Sequence, residues 1–319
     1  MPTRNAQHLV VDIGGSHVTA AAVRIDAAAG PHPDAALVSR VERGVDPHES
    51  SHTVLDAWAA ACRDAAVRAG VDPGACDWGL AMPGPFDYER GIAHYAGVGK
   101  FDYLAGVDIR SGLAARLGAE ARRIHFVHDA AAYGIGEWRF GAGAGTARRF
   151  VCITLGTGVG SAFVDDGRLV FDRPDVPPGG EAHRLTFAGR PLEDTVSTRA
   201  LLARYGGGAS FTVKDLATRA RAGDHRAQLA FDTAMAALAH TIAPWLASFG
   251  ATGVVLGGAI SRSWDVLERG FRAGLAQAGA DGDLRIVPSG LLADAPLFGA
   301  AHLLEQLAAG PCLTAPSLA

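Results

Sequence analysis

The sequence predicts a two-lobed α/β protein, and three observations carry that reading. The chain has 319 residues, beyond the size at which one core usually stops growing. A β-hairpin with a glycine turn occurs twice, at Asp12-Ile-Gly-Gly-Ser16 and at Thr154-Leu-Gly-Thr-Gly158. Between the two lies a strand-to-helix seam, Ile124 to Trp138, with Asp129 at the junction.

Taken in order, His8–Ile25 is strand, turn, strand, with apolar runs flanking Gly14-Gly15. Residues 26–50 read as a loop with a further strand around Ala36–Val41. Val54, Leu55, Trp58, Ala59, Cys62 and Val67 recur at helical spacing and make Ser51–Ala69 a helix. Trp78–Met82 is a strand that Pro83-Gly-Pro85 ends. The segment up to Tyr103 is irregular, and its length is that of a binding loop. Val107–Leu117 is helical and leads to the strand Ile124–Val127 and the alanine-rich helix after Asp129.

Beyond a glycine-rich loop at 140–145, Arg149–Thr154 and Val159–Val164 form the second hairpin, with another turn at Asp165–Gly167. Phe171–Thr195 is a Pro/Gly-rich stretch carrying Glu181, His183 and Glu193. Helices are expected at Ser197–Tyr205, Val213–Arg221 and His225–Ser248, the last bent at Pro244. Gly253–Leu256 is a buried strand, Gly257–Ile260 opens the next helix, Leu284–Val287 is a final strand and Ala295–Leu307 a final helix. A loose tail is expected from Gly310.

A formal charge of −4 without a basic stretch argues against nucleic acid or an anionic membrane as partner and for small molecules. Met1–His8 is too short for a signal peptide and no apolar run approaches a membrane span, so the expected location is cytoplasmic. Cys62, Cys76, Cys152 and Cys312 form no C-x-C or C-x-x-C pair, which leaves no zinc knuckle or redox motif. Lysine occurs only at Lys100 and Lys214, and asparagine only at Asn5.

Two glycine turns at hairpin tips can each present backbone N–H groups to an anion, and phosphate is the natural guest. Asp12, Gly14, Gly15 and Ser16 form one cradle; Thr154, Gly156, Thr157 and Gly158, with Ser161 nearby, form the other. Gly257-Gly258, between a strand and a helix, suits a nucleotide's phosphate or adenosine portion. Asp12 either stabilises its turn or holds Mg²⁺ through water. Asp129 either caps its helix or acts as a base. No P-loop and no protein-kinase signature set is present.

These pieces, with Met82-Pro-Gly-Pro85, His128-Asp129-Ala-Ala-Ala, Gly180-Glu-Ala-His183, Leu192-Glu193 and Gly257-Gly258 in that order, resemble the ROK family of sugar kinases over nearly the whole chain. The resemblance implies the actin-like ATPase (ribonuclease H-like) fold: two α/β lobes about a central cleft, residues 1–127 with 297–319 and residues 128–296, with ATP mainly on the second lobe. It also implies that Asp129 is the catalytic base that accepts a proton from a sugar hydroxyl attacking the γ-phosphoryl group. Glu181, His183 and Glu193 match substrate ligands, although the Gly-Glu-x-Gly-His element is one residue shorter here and His183 is equally a surface histidine. A homodimer and an ATP/Mg²⁺ requirement follow from the same resemblance.

The sequence departs from the family in two further ways. The interval Arg184–Leu192 lacks the cysteines of the family's zinc loop, so no zinc is expected and the loop must hold its shape by packing or its own hydrogen bonds. Polyphosphate-using relatives also lack that loop, which leaves the phosphoryl donor open between ATP and polyphosphate. The family's two sugar-binding asparagines are replaced by Gly97 and His128. Lys100 either fills the space near Gly97 or is a solvated surface residue. The resulting expectation is ATP-dependent phosphorylation of a hexose primary hydroxyl, glucose by default, with an aminosugar, fructose or a C7-cyclitol as alternative acceptors. A non-catalytic sugar-binding or regulatory protein is the rival from another class; only about eight residues precede the first hairpin, too few for a helix-turn-helix domain.

Overall fold

A computed structural model describes residues 7–26, 34–145, 148–208, 210–280 and 282–308; the expected tail from Gly310 and Cys312 lie outside the described residues. The chain divides into two compact units, residues 1–140 with 294–319, and residues 141–293.

The first unit opens with strands β1 (Gln7–Ile13), β2 (His17–Asp26) and β3 (Asp34–Gly44), helix α1 (Ser51–Ala69), β4 (Trp78–Met82), a small pair β5 (Phe86–Asp87) and β6 (Ile92–Ala93), helix α2 (Ile109–Leu117), β7 (Ile124–His128) and helix α3 (Asp129–Phe140). The second holds β8 (Arg149–Leu155), β9 (Val159–Asp165), β10 (Arg168–Leu169), β11 (Thr186–Phe187), β12 (Arg190–Pro191), α4 (Glu193–Val196), α5 (Thr198–Tyr205), α6 (Val213–Arg221), α7 (His225–Phe249), β13 (Gly253–Gly257), α8 (Gly258–Ser261), α9 (Trp264–Gln277) and β14 (Arg285–Pro288). Helix α10 (Ala295–Ala308) returns to the first unit.

Each unit is built on a five-stranded sheet of the same design. The orders are β3-β2-β1-β4-β7 and β10-β9-β8-β13-β14. In both, the first three strands are antiparallel and the last three mutually parallel. Thus β1, β4 and β7 align their carboxyl ends along one edge of the first sheet, and β8, β13 and β14 do so in the second. In open α/β sheets that edge is where ligands bind. The relatedness of the halves, visible in sequence only through two hairpins, extends to strand order and direction.

In the first unit, alternation along the strands separates two faces. Leu9, Val11, Ile13 and Leu80 pack with Trp58 and Cys62 of α1 in one core. The opposite face meets α10, where the point at which a Cβ on Gly79 would stand is 2.8 Å from the Ala300 carbonyl oxygen. Helix α1 begins at Ser50, whose Oγ accepts the Thr53 N–H at 3.2 Å, and ends at Gly70 in the left-handed region. In the second unit α7 runs unbroken through Pro244, and the cores of α5, α6, α7 and α9 join β8, β9 and β13 around Phe231, Phe249 and Phe271.

The division of the chain follows Phe140 rather than Val127, because α3 packs lengthwise on α10. The two helices approach backbone to backbone: a Cβ on Gly299 would lie 1.8 Å from the Ala132 carbonyl oxygen, and one on Gly136 would lie 2.1 Å from that of Ala295. Glycine is required there by space. Gly299→Ala is therefore expected to cost about 1–3 kcal/mol or more by forcing the helices apart, read as a lowered midpoint in denaturant titration. Since α3 carries Asp129 at its first position, activity should fall with it.

The sequence places most elements within a few residues. It merges α8 and α9, which the structure separates at Arg262–Ser263, and it leaves β5, β6, β10, β11, β12 and α4 without an element because each is only two to four residues long.

Candidate active site

In the first unit the candidate residues lie along the edge where β1, β4 and β7 end. Asp12 pairs with Ala81 across the parallel β1–β4 contact, and Met82 pairs with His128 across β4–β7. Asp12 is partly buried, and no hydrogen bond to its carboxylate is made among the described residues. Burial, and secondly the charge of Asp129, push its pKa up to about 7, against a smaller opposing effect of Arg40. An acid that pays for burial and finds no donor is poorly explained as a turn stabiliser. It fits a hydrated divalent cation, for which an open carboxylate is the preferred ligand.

The turn beyond Asp12 is closed by the Gly14 N–H donating to the His17 carbonyl at 2.9 Å. Neither Gly14 nor Gly15 has a positive φ, and space is short only at Gly14. A Cβ on Gly14 would meet the His17 ring at 2.5 Å, and one on Gly15 would stand 3.5 Å from Cδ and 3.9 Å from Nζ of Lys100.

Asp129 is the first residue of α3. Its Oδ1 accepts the Ala130 N–H at 2.7 Å and lies 3.4 Å from His128 Nε2. Among the described residues Oδ2 takes no hydrogen bond. A capping Asp would accept from residues two or three farther on. This carboxylate instead is held at one oxygen by the next residue and offers the other. The His128 ring stands edge-on to Tyr88 at 5.9 Å, and Tyr88 Oη donates to the Met82 carbonyl at 3.2 Å. Tyr95 is buried and its Oη donates to the Pro83 carbonyl at 2.7 Å. Burial, with a further contribution from Asp129, pushes the Tyr95 hydroxyl far above its ordinary value, so it stays protonated and keeps that hydrogen bond. Gly97 is exposed at φ +74°, with open space where a side chain would be.

In the second unit the edge is formed by the ends of β8, β13 and β14. Between β8 and β9, Thr157 is exposed, the Gly156 N–H donates to the Gly158 carbonyl at 3.0 Å, and the Gly156 carbonyl accepts from Thr198 at 2.8 Å. Thr154, at the end of β8, is half-buried. Glu193 is docked on this turn: Oε1 accepts the Val159 N–H at 2.7 Å and stands 2.4 Å from where a Cβ on Gly158 would be. The glutamate matched to sugar binding thus also fixes the glycine turn.

Gly257 ends β13. Gly258 follows at φ +80°, with a would-be Cβ 2.3 Å from the Leu155 carbonyl oxygen. Close packing on β8 accounts for Gly258 without a ligand. Ser161, read as a phosphate donor, is otherwise engaged: its Oγ donates to the Gly180 carbonyl at 2.7 Å and accepts the Ala182 N–H at 2.8 Å, pinning the turn that carries Glu181. Glu181 Oε2 accepts from Arg184 Nε and lies 3.9 Å from Nε2 of the exposed His183. The cysteine-free interval is a β-hairpin, β11 with β12, closed through Ala188 and Gly189 at positive φ, with the Leu192 N–H donating to the Leu185 carbonyl at 2.9 Å. Its Phe187 ring meets His240 edge-on at 6.3 Å. Hydrogen bonds and packing hold this loop. No group of three or more His, Cys, Asp or Glu that could hold a metal ion occurs among the described residues.

A model of the ROK family matches residues 9–171 and 187–307. The chain belongs to the ROK family. The unmatched interval contains Glu181 and His183, so the match carries nothing about those two residues. This ROK protein is 28% identical over 261 residues to the glucokinase of Thermotoga maritima, spanning 73% of this chain and 80% of that protein. Among solved structures, a ROK hexokinase from Thermus thermophilus matches with a TM-score of 0.72 at 25% identity, over 96% of this chain and 100% of the other. A ROK family glucokinase from Streptomyces griseus, in complex with glucose and AMPPNP, matches with a TM-score of 0.71 at 23% identity, over 94% and 100%. The fold is that of the ROK kinases, the actin-like ATPase fold. No helix among the described residues is long and apolar enough to cross a membrane.

The residues that sequence reading missed are Tyr88 and Tyr95, which frame His128 and Asp129. Their signal was two tyrosines in an irregular segment too long for a plain connection.

Proposed function

We propose that this ROK protein transfers the γ-phosphoryl group of ATP to a primary hydroxyl of a hexose, with glucose as the leading acceptor. The observation that carries the reading is Asp129: a carboxylate at the carboxyl edge of a parallel sheet, fixed at one oxygen by the Ala130 N–H and open at the other. The open oxygen takes the proton of the attacking hydroxyl, help that is worth roughly 10²–10⁴ in rate. The Gly14 and Gly156 N–H groups close their own turns; the rest of the Gly14–Ser16 turn in the first unit and of the Thr154–Gly158 turn in the second is assigned in this reading to phosphate oxygens, with Gly257 and Gly258 on the nucleotide side. Asp12 would hold Mg²⁺ through water, and that ion would supply neutralisation of phosphate charge.

Glu193, Glu181, His183, His128 and the open position at Gly97 belong to the acceptor side of this reading. The same reading includes a homodimer and a cytoplasmic location. One observation favours a second acceptor class. Where relatives keep two amides, this protein has an aromatic-backed imidazole at His128 and open space at Gly97, which changes the donors and acceptors offered to ring substituents.

An assay of ADP release with ATP as donor across glucose, fructose, mannose, N-acetylated hexosamines, aminosugars and cyclitols, repeated with polyphosphate as donor and the phosphorylated sugar detected directly by ³¹P NMR, tests both readings. Fastest turnover with ATP and glucose is expected. Turnover confined to an aminosugar or cyclitol selects the second reading. Binding of sugars without transfer from either donor would overturn the enzymatic assignment.

A further inference from the structure

We propose that Lys100 is a phosphoryl-binding residue, completing with the Gly14–Ser16 turn a seat for the terminal phosphate of the donor. The inference rests on the kinase reading and deepens it. By sequence alone Lys100 is either a surface lysine or a filler beside Gly97. Its side chain instead lies over the β1–β2 turn, with Cδ and Nζ 3.5 and 3.9 Å from the Cβ position of Gly15. No other heavy atom stands within 4 Å of that position beyond the chain neighbours of Gly15 itself. The ammonium has no ion-pair or hydrogen-bond partner among the described residues. A lone charge beside a turn read as a phosphate cradle is an arrangement suited to an anion.

The backbone that presents Lys100 is held rigidly. Phe101, the next residue, is buried at φ +59°, a conformation that side chains rarely adopt. Its ring packs edge-on to Trp58 at 5.5 Å and against Tyr95 at 5.9 Å, and its N–H donates to the Pro47 carbonyl at 2.9 Å. On the other side Gly97 and Gly99 both have positive φ, and the Val98 N–H donates to the Tyr95 carbonyl at 3.1 Å. The strain and the buried anchor fix where the short lysine-bearing segment points. Lysine also suits the task, because its compact ammonium can follow a phosphoryl group as it moves. The same Tyr95 that braces Phe101 donates to Pro83, the residue after Met82, which pairs with His128, so one buried ring supports both segments.

The test compares wild-type, Lys100→Met and Lys100→Arg full-length protein by calorimetric titration with inorganic tripolyphosphate. Wild-type binding is expected, with the Met variant at least about tenfold weaker and the Arg variant within about threefold of wild type. In steady-state assays, kcat of the Met variant should fall on the order of 10²-fold while the acceptor KM changes by less than about threefold. Equal tripolyphosphate affinity in wild type and Lys100→Met, or no binding by either, overturns the proposal. A raised acceptor KM with unchanged kcat also overturns it, by placing Lys100 on the acceptor. Lysine-dependent tripolyphosphate binding by a protein that phosphorylates no acceptor would sink the kinase reading and leave the phosphate seat standing.

Discussion

Asp129→Asn is expected to lower kcat by about 10²–10⁴ while leaving the affinity for the ATP analogue AMPPNP within about twofold of wild type. The amide is nearly isosteric with the carboxylate and its oxygen can still accept the Ala130 N–H, so the start of α3 keeps its structure. What is lost is the basic oxygen. Single-turnover kinetics separate chemistry from product release. Near-normal turnover by the Asn variant would return Asp129 to a purely structural role. A variant that lost AMPPNP affinity in proportion to kcat would show that the substitution had disturbed the donor side.

The second large effect concerns pH and Mg²⁺ at Asp12. Its pKa is raised from an ordinary 3.8 to about 7. Between those values the folded protein holds a proton that the unfolded chain has released. Stability therefore falls as pH rises through that window, and the deficit is complete above about pH 7. Replacing Asp12 by Asn removes the buried charge, so the variant should gain thermal stability relative to wild type at pH 8 and gain little at pH 4. Cation binding works against the proton, since the ligand is the carboxylate. The acid limb of the wild-type rate profile should move to lower pH as Mg²⁺ is raised, by about one unit per tenfold cation until another group takes over. In Asp12→Asn this shift should vanish and the rate should fall on the order of 10²-fold or more. An acid limb indifferent to Mg²⁺ in wild type would remove the metal from Asp12.

These predictions depend on features that sequence displayed unequally. The hairpins at Gly14–Gly15 and Gly156–Gly158 and the seam at Asp129 were legible because each is local: a few apolar residues, a turn and a helix start. The reason for the glycines was not. Gly14 lies under His17, Gly158 under Glu193, Gly258 on Leu155 and Gly299 on Ala132, and apart from the His17 contact each joins segments distant in the chain. Periodicity cannot show such approaches. The return of the last helix to the first lobe was expected from the resemblance, but the position of Asp129 within the first unit was hidden for the same reason as the glycines, since it depends on the backbone approach of α3 to α10 at Gly136 and Gly299. Ser161 looked like one more hydroxyl near phosphate until its two partners, Gly180 and Ala182, came into view. The loop without cysteines was expected to hold its shape by packing or by its own hydrogen bonds; that it is a hairpin was not legible, because strands of two residues leave almost no pattern. Lys100 was ambiguous because a lone lysine in a glycine-rich loop is ordinary until Phe101 is seen to anchor it.

The most direct test of the central claim, phosphoryl transfer to a primary hydroxyl with Asp129 as base, is the site of phosphorylation. Uniformly ¹³C-labelled glucose incubated with the protein, ATP and Mg²⁺ should yield a product in which ³¹P couples to the exocyclic carbon, and Asp129→Asn should yield almost none over the same time. Phosphate on a ring hydroxyl, or equal product from the Asn variant, would contradict the account.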